Sequence, residues 1–219
     1  LDRRKVKNPN PRQDNLPRTK GRRSTGLAMV CLCLLVSFSA RAQTHDAMQA
    51  SQAIDRFQTS LISVMQSADG LGYAGRYRRL QPEIENLFDF RTMTRVISGP
   101  AWNSWDDAKR DRLADAFRDF VTATYARRFD GYAGEHFSID AQQPVSGGIL
   151  VKTRLVRTAE PPVELDYLTH DTGRGPQVVD VFLAGTISEL ATRRSEFSAV
   201  LRRDGYDGLL AALRVKTND

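Results

Sequence analysis

The residues of this chain able to do chemistry are few and poorly grouped. Its three histidines, His45, His136 and His170, have no second His or Cys at ligand spacing. There is no H-x-x-x-H, no C-x-x-C and no acidic loop of calcium type. A G-x-S-x-G nucleophile turn is absent, as is a glycine-rich phosphate loop between a strand and a helix. Glu164, Asp166 and His170 alternate along one strand-like segment and share its polar face. Carboxylates beside an imidazole can exchange protons with a substrate, but a solvated sheet face carries the same pattern. Asp180 differs, because it shares its face with Val178 and Phe182 and should be partly buried. A buried carboxylate needs a cation or hydrogen-bond donors. Arg194 and Arg95 each interrupt an apolar helical stripe, so a structural ion pair of Asp180 with one of them is expected. No residue is assigned as catalytic, no metal site is expected, and the pattern calls for no cofactor.

The elements that would position these groups fall into helical, strand-rich and helical stretches. Ile54, Phe57, Leu61 and Val64 recur at helical spacing, with Gly70 and Gly72 as the expected stop. Tyr73, Tyr77, Leu80, Ile84, Leu87 and Phe88 make a second stripe, which Pro82 should split. Phe90, Met93, Val96 and Ile97 make a short third helix before Gly99-Pro100. A long helix is predicted over 107–130, with Leu113, Phe117, Phe120, Val121, Thr124 and Tyr125 inward and Ser104 or Asp106 as its cap. Period-two alternation follows over 136–142, 149–158, 163–170 and 177–184, punctuated by Ser146-Gly147-Gly148, Pro161-Pro162 and Gly173-Arg174-Gly175. Thr186 and Glu189 fit a capping box opening a late helix through Ile187, Leu190, Phe197 and Leu201. Gly205 closes that helix, and 209–215 supply a short last one. The expected fold class is α+β: a four-stranded antiparallel curved sheet with helices on one face, enclosing an apolar cavity.

Leu27–Ala40 is an uncharged apolar run that follows an Arg- and Lys-rich segment and leads into Ala40-Arg41-Ala42. A basic region, a short apolar stretch and small residues at an A-x-A site describe a secretory signal peptide with an extended n-region over 1–42. The run is short for a membrane span, which needs about 20 apolar residues. Arg22-Arg23 suits a twin-arginine signal poorly, because Ser24-Thr25-Gly26-Leu27 follows. Cleavage after Ala42 would leave a single domain over 43–219, exported across the inner membrane. The leader holds 10 Lys and Arg against 2 Asp and Glu, leaving 22 and 24 to the domain. The whole chain is basic only because of its leader, so nucleic acid is not an expected partner. Cys31 and Cys33 both lie in the apolar run, which removes disulfide and thiol chemistry from the domain.

Aromatic bulk is concentrated between Tyr73 and Phe137, including Phe88, Phe90, Trp102, Trp105, Phe117, Phe120, Tyr125, Phe129 and Tyr132. Spacing alone is compatible with a filled core or with the walls of an apolar site. The segments Phe88-Asp89-Phe90-Arg91-Thr92-Met93-Thr94-Arg95, Gly99-Pro100-Ala101-Trp102, Thr124-Tyr125-Ala126, Val163-Glu164-Leu165-Asp166-Tyr167 and Val179-Asp180-Val181 occur in that order. This ordered set resembles the MlaC-type periplasmic phospholipid-binding proteins, also called the toluene-tolerance family of ABC-transporter auxiliary components. Phe129-Asp130-Gly131-Tyr132 and the run from Asp180 to Phe197 are similar to its hopanoid-associated HpnM branch. Asp106-Asp107 departs from the Ser/Thr-Pro helix start of those relatives, which touches capping only.

The resemblance implies a soluble periplasmic carrier, not an enzyme. It would hold a phospholipid or hopanoid by its apolar part and trade it with membrane-bound lipid-transport complexes of the envelope. Expected wall residues on the helices are Phe88, Met93, Val96, Ile97, Trp102, Phe117, Val121 and Tyr125. The sheet would add Val151, Leu155, Leu165, Tyr167, Val179 and Val181, with Ile187, Leu190 and Phe197 closing the far side. Two other classes stay open at this point. One is a small-molecule enzyme using Asp166, His170 or Asp180; the other is a ligand-free periplasmic adaptor.

Overall fold

The computed structural model describes the backbone of residues 27–218 and the side chains of residues 44–218. The basic leader segment and the side chains of the cleavage pattern lie outside the described residues. The chain divides into two units, Leu1–Ser39 and Ala40–Asp219. In its described part the first is helical backbone; the second holds the folded domain. Among the described residues no helix is long and apolar enough to cross a membrane.

The elements run α1 (Leu27–Gln66), α2 (Ala68–Leu87), α3 (Phe90–Ser98), a 3-10 turn (Gly99–Ser104) and α4 (Asp107–Arg128). Then come β1 (His136–Val145), β2 (Gly148–Val156), β3 (Val163–Asp171), β4 (Pro176–Leu183), β5 (Ile187–Ser188) and α5 (Glu189–Asn218). The strands form one antiparallel sheet in the order β1-β2-β3-β4-β5. The sheet is therefore five-stranded, not four-stranded. The fifth strand arises from a tight turn in which Thr186 N–H donates to the Leu183 carbonyl. Its central residues Ala184 (φ 49°) and Gly185 (φ 69°) are both left-handed, the geometry that matches the twist of a hairpin. A Cβ at position 185 would stand 2.5 Å from Glu164 Oε2, so only glycine fits there without displacing that side chain. The turn folds Ile187-Ser188 back onto Leu183 and Phe182. It also moves the start of α5 beyond Thr186. Ser188 Oγ, accepting the Ala191 N–H at 2.9 Å, is the cap in place of Thr186.

Pro82 does not split α2. It lies on the exposed side of the helix, as does Arg78, whose carbonyl loses its helical partner to the missing N–H. The break falls instead at Gly72, with φ 58° and ψ 179°. α1 also ends at Gln66, before the glycines. α4 starts as expected, with Asp106 Oδ1 accepting the Lys109 N–H at 2.8 Å, and α5 kinks at Gly205.

Ile54, Phe57, Leu61 and Val64 of α1 are buried with Leu80 and Ile84 of α2, Val151 of β2 and Tyr167 of β3. Gln58 Nε2 donates to Thr153 Oγ1 at 2.8 Å, tying α1 to β2 through the core. The polar face of the sheet carries a correction. Asp166 is not solvated; it is 2% exposed. The Thr153 N–H donates to its Oδ1 at 3.0 Å, while the Thr153 hydroxyl donates to the Leu165 carbonyl. The carboxylate thus takes a backbone donor between β2 and β3, and Lys152 Nζ balances it at 3.1 Å.

Candidate functional site

A pocket of about 500 Å³ opens between α4, the sheet and the start of α5. Its helical wall comes from the face of α4 on which Phe117, Val121, Thr124 and Arg128 recur at intervals of four, three and four residues. Phe120, Tyr125 and Phe129 widen that wall, and Phe88 and Met93 close its inner end. The sheet contributes Leu155, Val163, Leu165, Val181 and Leu183. Leu155 stands opposite Val163 and Leu165 opposite Leu183 across the ladders, so these side chains form one oily floor. Ala184, Glu189, Leu190 and Arg193 complete the rim. α4 packs against α2, α3 and α5, which hold it above the floor.

The rings are ordered. Phe88 stacks on Phe90 at 5.8 Å, and Tyr125 stacks on Phe129 at 5.6 Å. Phe117 meets Phe120 at 5.8 Å. Burial raises the Tyr125 hydroxyl well above its ordinary pKa and pushes Tyr167 up to about 12. Both stay neutral at any physiological pH, so neither supplies charge to the pocket. Charge is confined to the rim. Arg193 donates to Glu189 at 3.1 Å and to Glu196 at 2.9 Å, with its guanidinium 5.3 Å from the Phe120 ring.

Of the expected wall residues, Phe88, Met93, Phe117, Val121, Tyr125, Leu155, Leu165, Val181 and Leu190 line the pocket. The others lie elsewhere. Ile97, Val151, Tyr167, Val179 and Phe197 are packed in the interior, whereas Val96 and Ile187 face solvent. Trp102 is packed in the core away from the pocket, edge-on to Trp105, which in turn meets Tyr206 at 5.1 Å. The wall residues missing from the sequence expectation were partly readable. Val163 and Leu183 continue the strand faces of Leu165 and Val181, and Thr124 and Arg128 continue the stripe of Val121. Ala184, Glu189 and Arg193 reach the rim only through the unforeseen hairpin.

The groups weighed for acid–base chemistry are engaged separately. His170 Nε2 sits 3.0 Å from Asp89 Oδ2, and Asp89 caps α3 by accepting the Thr92 N–H at 2.9 Å. Burial works against the Asp89 charge, but the Thr92 N–H and His170 outweigh it and hold its pKa below the ordinary carboxylate value. Asp166 is occupied by Thr153 and Lys152. Asp180 departs from expectation: among the described residues it forms no ion pair with Arg194 or Arg95. The Ser188 hydroxyl donates to it at 2.5 Å, and the Val181 and Leu190 N–H groups donate at 2.7 and 3.2 Å. Burial raises its pKa against those donors. Donors at the start of α5 replace the cation, because the β4–β5 hairpin brings Ser188 and Leu190 directly to the strand. Arg194 instead lies against Gly99, where a Cβ would stand 3.1 Å from its Nη2. Among the described residues no group of three His, Cys, Asp or Glu is placed to hold a metal. None of Asp166, His170 and Asp180 lines the pocket.

The backbone is similar to that of a phospholipid-binding protein from Ralstonia solanacearum solved in complex with a phospholipid. The TM-score is 0.67 at 18% identity, over 77% of this chain and 97% of that chain. At that identity the likeness speaks for the fold. The family model described as MlaC protein matches residues 55–215, from the apolar face of α1 to the end of α5. This chain belongs to the MlaC family.

Proposed function

We propose that this protein is a lipid carrier that holds the apolar part of a phospholipid or hopanoid in the pocket between α4 and the sheet. The observation that carries the reading is a hollow of about 500 Å³ with aromatic and aliphatic walls and charge only at its rim. That volume falls within the roughly 300–1,000 Å³ of small-ligand sites. The apolar walls gain by being taken out of water, so a hollow of this size favours an apolar occupant. Each methylene drawn from water into such walls contributes about 0.8 kcal/mol. A carrier needs no acid, base or metal; it needs walls good enough to offset the bilayer and poor enough to release. Family membership and the phospholipid held by the Ralstonia protein support the same reading.

Export fits this role. The apolar run over 27–40 and the Ala40-Arg41-Ala42 pattern support a working domain exported to the periplasm, with cleavage after Ala42. There it would exchange lipid with membrane-bound complexes, and the HpnM-like run from Asp180 to Phe197 makes a hopanoid an alternative cargo. Mass spectrometry of organic extracts of the purified protein tests the reading. One lipid per chain is expected, and its mass separates phospholipid from hopanoid. Val121→Trp, which fills the hollow from the α4 side, should abolish that lipid. A lipid-free wild-type protein, or unchanged lipid in the variant, would count against the pocket as the carrier site.

A further inference from the structure

The walls of the oily pocket are not held alike. α4 is braced by α2, α3 and α5, and the floor strands β2, β3 and β4 pair with one another in a continuous sheet. The remaining side is a short piece of chain. Leu183, Ala184, Glu189, Leu190 and Arg193 reach the pocket from the β4–β5 hairpin and the first turn of α5. β5 is two residues long and pairs with β4 alone. Its Ile187 is 54% exposed, so the hairpin is bare on its outer side.

One carboxylate gathers this piece of chain. Asp180 of β4 accepts the Ser188 hydroxyl on Oδ2 and the Leu190 N–H on Oδ1. Ser188 in turn accepts the Ala191 N–H. Asp180 therefore fixes β5 and the first turn of α5 to the strand at once. Leu190, whose backbone it holds, is buried and lines the pocket. Across the mouth the same turn has a looser hold, the Arg193 guanidinium over the Phe120 ring of α4. Hydrogen bonds to a carboxylate are about twice as strong as those between neutral groups, which makes Asp180 the principal tie. Farther along α5, Phe197 is 1% exposed and anchors the helix in the core. Movement of the first turn stops short of it, with the left-handed Ala184-Gly185 pair as the pivot at the other end.

We propose that Asp180 is a positioning residue for lipid passage: through Ser188 and Leu190 it latches β5 and the first turn of α5 against the pocket, and release of that latch lets a lipid in or out. The inference rests on the carrier reading. Asp180 does not touch the lipid; it acts through Leu190. Opening frees donors that water can satisfy and uncovers one leucine, so it is a local event in a protein that stays folded. A weaker latch raises the frequency of opening whether or not a lipid is inside. Loading and unloading then accelerate together, and the affinity, which is their ratio, stays put. A merely structural aspartate would lower stability without that paired acceleration.

Vesicles of phosphatidylglycerol with a pyrene-labelled tail load the purified protein, and unlabelled vesicles unload it. Both rates are read by stopped-flow fluorescence at saturating vesicle concentration. Asp180→Asn should raise both by roughly tenfold. Ser188→Ala, which keeps the carboxylate, should raise both by about threefold, and Ser188→Thr, which keeps the hydroxyl, should match wild type. Amide hydrogen exchange of the lipid-free protein should quicken over 187–193 in the same order, with α4 unchanged. Leu61→Ala, which weakens the packed interior beneath α1, should leave both lipid rates alone. Unchanged rates in Asp180→Asn, or faster unloading without faster loading, overturn the latch and leave the carrier intact. Equal acceleration in Leu61→Ala also overturns it, because any loss of stability would then open the pocket. Should Asp180→Asn fail to fold, Ser188→Ala decides by the same criteria. A wild type that loads no phospholipid removes the phospholipid-carrier reading and the latch together.

Discussion

Beneath α1 the interior is solid, whereas beneath α4 it is hollow. Phe57, Leu61 and Val64 of α1 are almost wholly out of solvent. The Phe57 ring is edge-on to Phe88, Tyr125 and Tyr167 at 5.7, 5.4 and 6.4 Å. Beneath α4, Val121, Tyr125, Leu155 and Leu165 are only half-buried and face one another across the pocket. The residue types are the same in both halves, so composition does not decide which becomes a core. Support does. Gln58 pins α1 to β2 through Thr153, while α4 rests on α2, α3 and α5. A helix carried by other helices can stand off a sheet without collapsing onto it. Tyr125 faces both regions, meeting Phe57 on one side and the pocket on the other.

The strongest test of this contrast is to empty one side of the solid half. Phe57→Ala should cost about 3–5 kcal/mol of unfolding free energy, the range for a buried phenylalanine in a close-packed interior. Urea unfolding monitored by circular dichroism reads it directly. A loss under 1 kcal/mol would mean that the region under α1 is loosely filled too, and the two halves would not differ.

The sequence carried the faces of the elements but not their depth. Val151 and Leu155 alternate on one face of β2, yet Val151 is packed and Leu155 lines the pocket. Phe117 and Val121 share a helical stripe and both line the pocket, yet Phe117 is buried and Val121 only half-buried. Periodicity reports which side of an element is apolar, whereas depth depends on what a distant element does. Local signals also lost to tertiary ones at the end of the sheet. Thr186 and Glu189 have capping-box spacing, but the left-handed Ala184-Gly185 pair draws Ile187 and Ser188 onto β4 and hands the cap to Ser188. Asp166 looked solvated because its neighbours alternate in polarity; its burial follows from a backbone donor that no spacing rule marks. The α+β order, the Asp106 cap and the first four strands were legible because each rests on short-range chemistry.

Asp89 stands where the two halves join. Its neighbour Phe88 lines the pocket and touches Phe57, and the Asp89 N–H donates to the Val178 carbonyl at 2.9 Å, tying α3 to β4. Removing its cap with Asp89→Ala should cost about 1 kcal/mol at pH 7, within the usual range for an N-cap aspartate. The sign with pH follows from its lowered pKa. A depressed carboxylate contributes stability above its unfolded value, near 3.8, and loses it as pH falls through the folded value. The gap between wild type and Asp89→Ala should therefore narrow in acid. A gap that holds constant from pH 7 to pH 3 would remove Asp89 as a charged tie between the halves.

The smallest expected change is the most discriminating. Val121→Trp adds a large side chain, which in a filled core forces strain costing about 1–3 kcal/mol. At position 121 the added ring would enter open space beside Leu155 and Leu165 instead. New contacts with those walls gain dispersion energy and remove apolar surface from water. The unfolding free energy of the lipid-free protein should then stay within about 1 kcal/mol of wild type, even as the variant loses its lipid. Measuring lipid-free protein matters, because a bound ligand stabilises wild type by mass action and would make the variant look damaged. A loss beyond 2 kcal/mol in the lipid-free comparison would mean that α4 has already closed onto the sheet in solution. The hollow would then depend on its guest, and the contrast with the region under α1 would exist only in the loaded protein.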